Sequence, residues 1–222
     1  MKVLDKILYC LYPDKCIACD KLVSRGKVFC PECEFTYGNN LGYKTGDSFL
    51  PKTVYSVMYE EDIKQAIWKY KFRSKKYYIR PFSSLLVEAF DYYYKASDFD
   101  VILAVPTTDK SKAERGYNHA ALLGKAISKR EGIPYQDKAL IKLKETNQHE
   151  KTLSERRGNV KGAYKVSLKA DLKGKRVLLV DDIITTGYTM ETIARLIKKA
   201  GAKSVNGIVL AAASTKPLAK YR

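Results

Sequence analysis

Two adjacent carboxylates, Asp181 and Asp182, directly follow four apolar residues, Val177-Leu178-Leu179-Val180, and precede a hydroxyl-rich turn, Thr185-Thr186-Gly187-Tyr188-Thr189. Four consecutive apolar residues suit a strand buried on both faces, which delivers the acids at its C-terminal end, where open α/β sheets bind ligands. The turn then enters a helix at about residue 188. Backbone N–H groups, threonine hydroxyls and a helix N-terminus can surround one phosphate there. Gly187 permits the backbone conformation such a cradle needs. The carboxylates cannot hold that phosphate, but they can accept hydrogen bonds from two vicinal sugar hydroxyls. Carboxylates for a ribose beside amides and hydroxyls for its 5′-phosphate describe a phosphoribosyl site. A Walker-type nucleotide loop is excluded in this segment, because no Gly-Lys-Ser/Thr follows.

A second constellation lies near the start. Cys16-Ile17-Ala18-Cys19 and Cys30-Pro31-Glu32-Cys33 form two CxxC knuckles with ten residues between them. Each knuckle presents two thiolates to one tetrahedral ion, so together they complete a structural zinc site with no position open for catalysis. Two disulfides are the alternative, which a reducing compartment disfavours. The fifth cysteine, Cys10, fits as a small apolar residue beside Leu4, Ile7 and Leu11.

The elements that position these groups alternate. Residues 2–12 suit a short amphipathic helix ended by Pro13, and residues 14–36 the zinc knuckle. Tyr37 to Pro51, rich in glycine and asparagine, reads as a linker. Strands are expected over 52–59, 101–105, 138–143, 177–180 and 205–213. Helices are expected over 62–72, 81–95, 119–131 with Asn118 as N-cap, 153–159, and 190–200 before Gly201. The fold class is α/β with a mainly parallel sheet. The division is residues 1–50, an N-terminal helix with zinc knuckle and linker, and residues 51–222, the α/β domain.

The chain of 222 residues carries 41 Lys and Arg against 24 Asp and Glu, a formal net charge of +17, and 45% hydrophobic residues supply a core. Residues 151–222 hold 16 of the basic and only 5 of the acidic groups. Such a field attracts polyanions, or serves only as a solvated basic face. Between Lys69 and Arg80, the cations Lys69, Lys71, Arg73, Lys75, Lys76 and Arg80 interleave with Tyr70, Phe72, Tyr77 and Tyr78. Cations for phosphates and aromatics for bases suit single-stranded nucleic acid, although the aromatics equally suit a core. Arg156, Arg157, Lys161, Lys165, Lys169, Lys173, Lys175 and Arg176 extend the track. The longest uncharged run, Ser204 to Thr215, is 12 residues, too short to cross a bilayer. Asp5 and Lys6 interrupt the apolar start where a signal peptide needs continuity. No membrane insertion and a cytoplasmic location are expected.

The stretch 177–189 resembles the phosphoribosyl pyrophosphate (PRPP) signature of type I phosphoribosyltransferases. The resemblance implies that fold, and a site in which Asp181, Asp182, Ile184, Thr185, Thr186, Gly187, Tyr188 and Thr189 bind the ribose and its phosphate. It also implies Mg²⁺ bound with PRPP, a pyrophosphate loop at Pro106, Thr107 and Thr108, and a cationic flap with Lys112, Arg115 and Lys110. The flap residues equally fit a solvated loop.

Arg115-Gly116-Tyr117-Asn118, the series Lys144, Thr146, Gln148, Leu153, Arg156, Arg157, Asn159, Gly162, Ala163, Tyr164, the CxxC pairs and Tyr70-Lys71-Phe72 resemble the ComF-type competence proteins, in matching order. That resemblance implies single-stranded DNA binding in natural transformation, with a DNA-uptake helicase and a recombination mediator as protein partners. Thr108 stands where the family often has a second proline, Arg73-Ser74 where it has Gly-Asp, and His119 where it usually has Gln. No acceptor site is legible, so transfer onto a nucleobase or related acceptor stays the alternative to an adaptor role. His119 and His149 are either acid–base groups or capping and surface histidines.

Overall fold

A computed structural model describes residues 13–38, 40–72, 78–109, 111, 113, 116–143, 162–216 and 218. The helices expected over 2–12, with Cys10, and over 153–159 lie outside these residues. So do Arg73, Lys75, Lys76, Lys110, Lys112, Arg115, His149, Arg156 and Arg157.

The described elements run α1 (Pro31–Tyr37), β1 (Gly42–Thr45), β2 (Lys52–Met58), α2 (Glu61–Phe72), α3 (Ile79–Tyr93), β3 (Val101–Ala104), α4 (His119–Glu131), β4 (Leu140–Lys142), β5 (Tyr164–Val166), β6 (Arg176–Ile184), α5 (Tyr188–Lys199) and β7 (Ser204–Ala212). The main sheet has the order β1-β2-β7-β6-β3. Only the β1–β2 pair is antiparallel; β2–β7, β7–β6 and β6–β3 are parallel.

The apolar run of β6 is what holds the sheet between two cores. Val177, Leu178, Leu179 and Val180 are all completely buried, each contributing about 1.5–3 kcal/mol over an exposed side chain. Their alternation divides them. Leu178 and Val180 join Ile63, Ile67 and Tyr70 of α2, Phe82 and Leu86 of α3, and Leu123 and Ile127 of α4. Val177 and Leu179 join Met190, Ile193, Ala194 and Ile197 of α5. The crossover helices flanking β6 therefore lie on opposite faces of the sheet. This opens a crevice at the C-terminal end of β6.

Asn118 caps α4 as expected: its Oδ1 accepts from the Ala121 N–H at 3.2 Å, and its Nδ2 donates to the Val105 carbonyl at 3.0 Å. The same side chain thus ties the start of α4 to the end of β3.

Three expectations are corrected. The supposed linker at 37–51 contains β1, whose Lys44 is buried because its ammonium donates to the Ser214 carbonyl at 2.9 Å. Glycine and asparagine content hid a short edge strand that has a sheet to join. Second, β6 does not end before the acids but continues in register with β7 to Ile184. Third, Leu140–Lys142 pairs with Tyr164–Val166 in a separate two-stranded antiparallel sheet.

The cysteine-rich segment is packed onto the first core. Cys16, Ile17, Phe29, Cys30 and Tyr37 share one buried cluster with α2 and α3, and the Tyr37 hydroxyl donates to Asp62 at 2.8 Å.

Candidate sugar-phosphate site and metal centre

β3 stops at Ala104 opposite Val180, and the Val105 N–H donates to the Val180 carbonyl at 2.9 Å. Beyond this point β6 keeps β7 as its neighbour on one side, while the chain at Pro106-Thr107-Thr108 turns away on the other. The acids therefore meet the crevice although they belong to the strand. Their side chains diverge. Asp182 pairs with Lys71 of α2 at 2.7 Å, whereas Asp181 feels Lys142 of β4 and the phenol of Tyr164 on β5. The Asp182 N–H donates to Asp181 Oδ1 at 2.8 Å. Desolvation, followed by the Asp182 charge, pushes the Asp181 carboxyl up to about 7; Lys71 and Lys142 act in the opposite direction.

After Ile184 the turn leads to Gly187, which has φ +87° and stands as the N-cap of α5 without a side-chain cap. The contrast with α4 lies in the N-cap residue: Asn118 caps one helix start with its own side chain, whereas Gly187 brings no side chain to the start of α5. An anion is the natural partner for such a terminus. Thr185 is exposed, and Thr186 and Thr189 are partly exposed beside these amides. Ile184 and Tyr188 are buried and anchor the turn in the fold. Thr108 is also buried, and its hydroxyl accepts from the Ser111 N–H at 3.2 Å, a local turn at the loop expected to meet pyrophosphate.

Within the basic tract at 69–80, the described cations Lys69, Lys71 and Arg80 each meet a carboxylate. Lys69 pairs with Asp20 at 2.7 Å, Arg80 with Asp14 at 3.9 Å, and Lys71 with Asp182 at 2.7 Å. Tyr70 and Tyr78 are fully buried, Tyr70 edge-on to Phe82 and His119, so they are core and not stacking platforms. The helical spacing of 63, 66, 67 and 70 carries the tract's first half inward, and acids distant in sequence meet its cations. His119 is buried with Nε2 3.2 Å from the Tyr70 carbonyl and its ring against those of Tyr70 and Tyr117. Lys71 and Lys142 are the site residues that sequence reading missed; for Lys71 the available signal was its position four residues after buried Ile67.

The four cysteines converge as the spacing requires. Their sulfurs lie within 4.8 Å of one another, and Cys19 Sγ is 3.6 Å from Cys30 Sγ. A tetrahedral zinc thiolate, with Zn–S near 2.3 Å, separates its sulfurs by about 3.8 Å, whereas a disulfide needs about 2.05 Å. All four are free thiols, so the disulfide alternative does not describe them. Burial, then the neighbouring sulfurs, push the Cys33 thiol strongly up; a divalent cation reverses that penalty by taking thiolates. The donor set fits zinc.

The parallel sheet, the crevice at β6 and the acid–hydroxyl loop define a type I phosphoribosyltransferase fold, and a family model described as "Phosphoribosyl transferase domain" matches residues 119–222. "Competence protein ComFC" of Streptococcus pneumoniae is 31% identical over 198 residues, covering 86% of this chain and 84% of that protein. "DNA utilization protein YhgH" of Escherichia coli strain K12 is 25% identical over 206 residues, 86% of each chain. "Competence protein F" of Haemophilus influenzae is 34% identical over 108 residues, 48% of this chain and about half (47%) of that protein's length. The chain belongs to the ComF family of competence-related, phosphoribosyltransferase-like proteins. Among the described residues, no helix is long and apolar enough to cross a membrane.

Proposed function

We propose that this chain binds PRPP with Mg²⁺ in the β6 crevice and handles single-stranded DNA during natural transformation in the cytoplasm. The observation that carries the first half is the start of α5 at Gly187, an N-cap in the left-handed conformation with no side chain of its own, next to the adjacent acids of β6. Thr185, Thr186 and Thr189, with the backbone of Ile184, Gly187 and Tyr188, would take the 5′-phosphate. Asp181 and Asp182 would take the ribose hydroxyls. Pro106, Thr107 and Thr108 border the place of the diphosphate, with Lys112 and Arg115 assigned to its flap. Bound Mg²⁺ would offset diphosphate charge; the zinc of Cys16, Cys19, Cys30 and Cys33 would be structural. The division into a metal-bearing segment, 1–50, and a sugar-phosphate domain, 51–222, belongs to the same reading, as do a helicase and a recombination mediator as partners.

DNA handling draws its support from the net charge of +17 and from relatives named for competence and DNA utilization. Catalysed transfer onto a nucleobase or related acceptor is the second reading, favoured by the Asp181–Asp182 pair standing at the reacting end of the crevice. Pyrophosphate release from PRPP–Mg, screened against nucleobases and single-stranded DNA, separates the two. Release with one acceptor establishes an enzyme, whereas PRPP binding without release establishes an adaptor. Absence of PRPP binding refutes both.

A further inference from the structure

Several lysines without a carboxylate partner among the described residues stand at the opposite end of the sheet from the crevice. Gly174 N–H donates to the Gly201 carbonyl at 2.8 Å, and Lys203 N–H donates to the Lys175 carbonyl at 2.8 Å. These bonds join the turn before β6 to the turn between α5 and β7. Lys173 and Gly201 touch directly, the lysine Cα lying 3.4 Å from the position a Cβ on Gly201 would take. Lys173, Lys199 and Lys203 are therefore drawn to one pole, with Lys169 four residues before Lys173; all four are exposed, and no described carboxylate pairs with any of them. Lys175 pairs with Asp171 at 3.7 Å, and Lys198 donates to the Lys203 carbonyl at 2.7 Å. Lysines at a helix C-terminus answer its dipole, which accounts for Lys198 and Lys199 but not for Lys169, Lys173 or Lys203.

We infer that this lysine pole, and not the carboxylate-paired Lys69, Lys71 and Arg80, is where the chain meets the nucleic-acid backbone, and that it acts independently of the sugar-phosphate site. The inference rests on the proposal above that the chain handles nucleic acid. The patch offers ammonium groups for phosphates and no aromatic platform, so recognition runs through the backbone and is indifferent to sequence. Leu168, exposed beside Lys169, is a single apolar side chain and supplies little of the anchorage an acyl phase requires. Independence follows from distance. Six residue-to-residue steps along β6 lead from Arg176 to Asp182, about 20 Å at ~3.3 Å per step. That exceeds two Debye lengths at physiological salt, each about 8 Å.

The test is fluorescence anisotropy of a labelled oligothymidylate with the full chain and with a Lys169→Glu/Lys173→Glu/Lys199→Glu/Lys203→Glu variant. The variant should bind at least tenfold more weakly at about 100 mM salt, and its log–log salt slope should be shallower by about 3, near 0.7 per lost phosphate contact. Saturating PRPP–Mg should leave the wild-type DNA affinity within about twofold, and the variant should keep wild-type PRPP affinity. The corresponding Lys→Gln variant, checked by circular dichroism, guards against misfolding and should show a smaller loss in the same direction. Unchanged DNA affinity in both variants overturns the placement, and displacement of DNA by PRPP overturns the independence. A wild-type chain that binds no oligothymidylate refutes the underlying nucleic-acid reading instead. Loss of binding to phosphatidylserine vesicles with DNA affinity intact assigns the pole to membranes and overturns the inference.

Discussion

The ammonium of Lys71 lies 2.7 Å from Asp182 Oδ2, and both side chains are more than four-fifths shielded from solvent. α2 thus contributes a cation to an acid pair that β6 carries 111 residues later in the chain. Paired in this way, one of the two adjacent carboxylates has a counter-charge in the crevice, and a cation already stands beside the place proposed for an anionic ligand. Replacing Lys71 by Met removes the counter-charge. The variant should lose on the order of 1–3 kcal/mol at pH 8 and less at pH 5, where Asp181 holds a proton. Urea denaturation at the two pH values measures this, and an equal loss at both would contradict it.

Glu191 of α5 is completely buried, and neither carboxylate oxygen has a partner among the described residues. Burial, then the charge of Asp47, push its carboxyl up to about 7; Arg195 opposes them. The folded chain consequently holds a proton that the unfolded chain releases near its ordinary value of 4.5. Stability falls as pH rises from about 4.5 to 7 and stays lower above that range. Asp181 acts in the same direction. Glu191→Gln should flatten the fall in Tm between pH 5 and pH 8 and gain on the order of 1–3 kcal/mol at pH 8. Parallel pH profiles for the two proteins would exclude this role for Glu191.

Gly187 combines a left-handed backbone with a crowded side: a Cβ there would stand 2.7 Å from Leu218 Cδ2. Gly187→Ala should cost about 1–2 kcal/mol and distort the amides at the start of α5. PRPP affinity should drop at least tenfold, as read by calorimetry, while Gly132→Ala, equally left-handed but with open space around it, should lower stability and leave PRPP affinity alone. Equal effects on PRPP binding would remove the phosphate role from this turn.

The cysteine cluster should carry one zinc per chain. Because Cys16 and Cys30 are buried in the same core as α2 and α3, Cys16→Ser or chelation should lower the stability of the sheet's first core by several kcal/mol, about the scale of a lost structural metal. Metal analysis gives the stoichiometry and thermal unfolding gives the loss. A metal-free chain with unchanged Tm would dismiss the structural role.

How much of this was legible in the sequence depended on whether the signal was local. The β6 run, the acid pair, Gly187 and the Asn118 cap depend on neighbours within a few positions, and each forms the element its spacing implied. The two CxxC knuckles likewise bring their sulfurs together. What sequence reading missed depends on distant partners. β1 forms because β2 offers an edge; Lys44 is buried because the Ser214 carbonyl receives it. Lys69 and Lys71 read as cations of a nucleic-acid track, and their carboxylate partners Asp20 and Asp182 come from elsewhere in the chain. Tyr70 and Tyr78 suited either a stacking platform or a core in the sequence, and burial in the packed helices makes them core. In each case composition describes a residue's chemistry, and tertiary pairing decides where that chemistry points.

The β6 crevice with the α5 N-terminus is proposed as the PRPP site. Calorimetric titration of PRPP with Mg²⁺ into the wild-type chain and into the Asp181→Asn/Asp182→Asn variant tests it directly, with thermal unfolding confirming that the variant is folded. Saturable binding to the wild type that the folded variant loses by a factor of about a hundred, near 2.7 kcal/mol, is the predicted result. Equal affinity for the two chains, or no binding by the wild type, would contradict it.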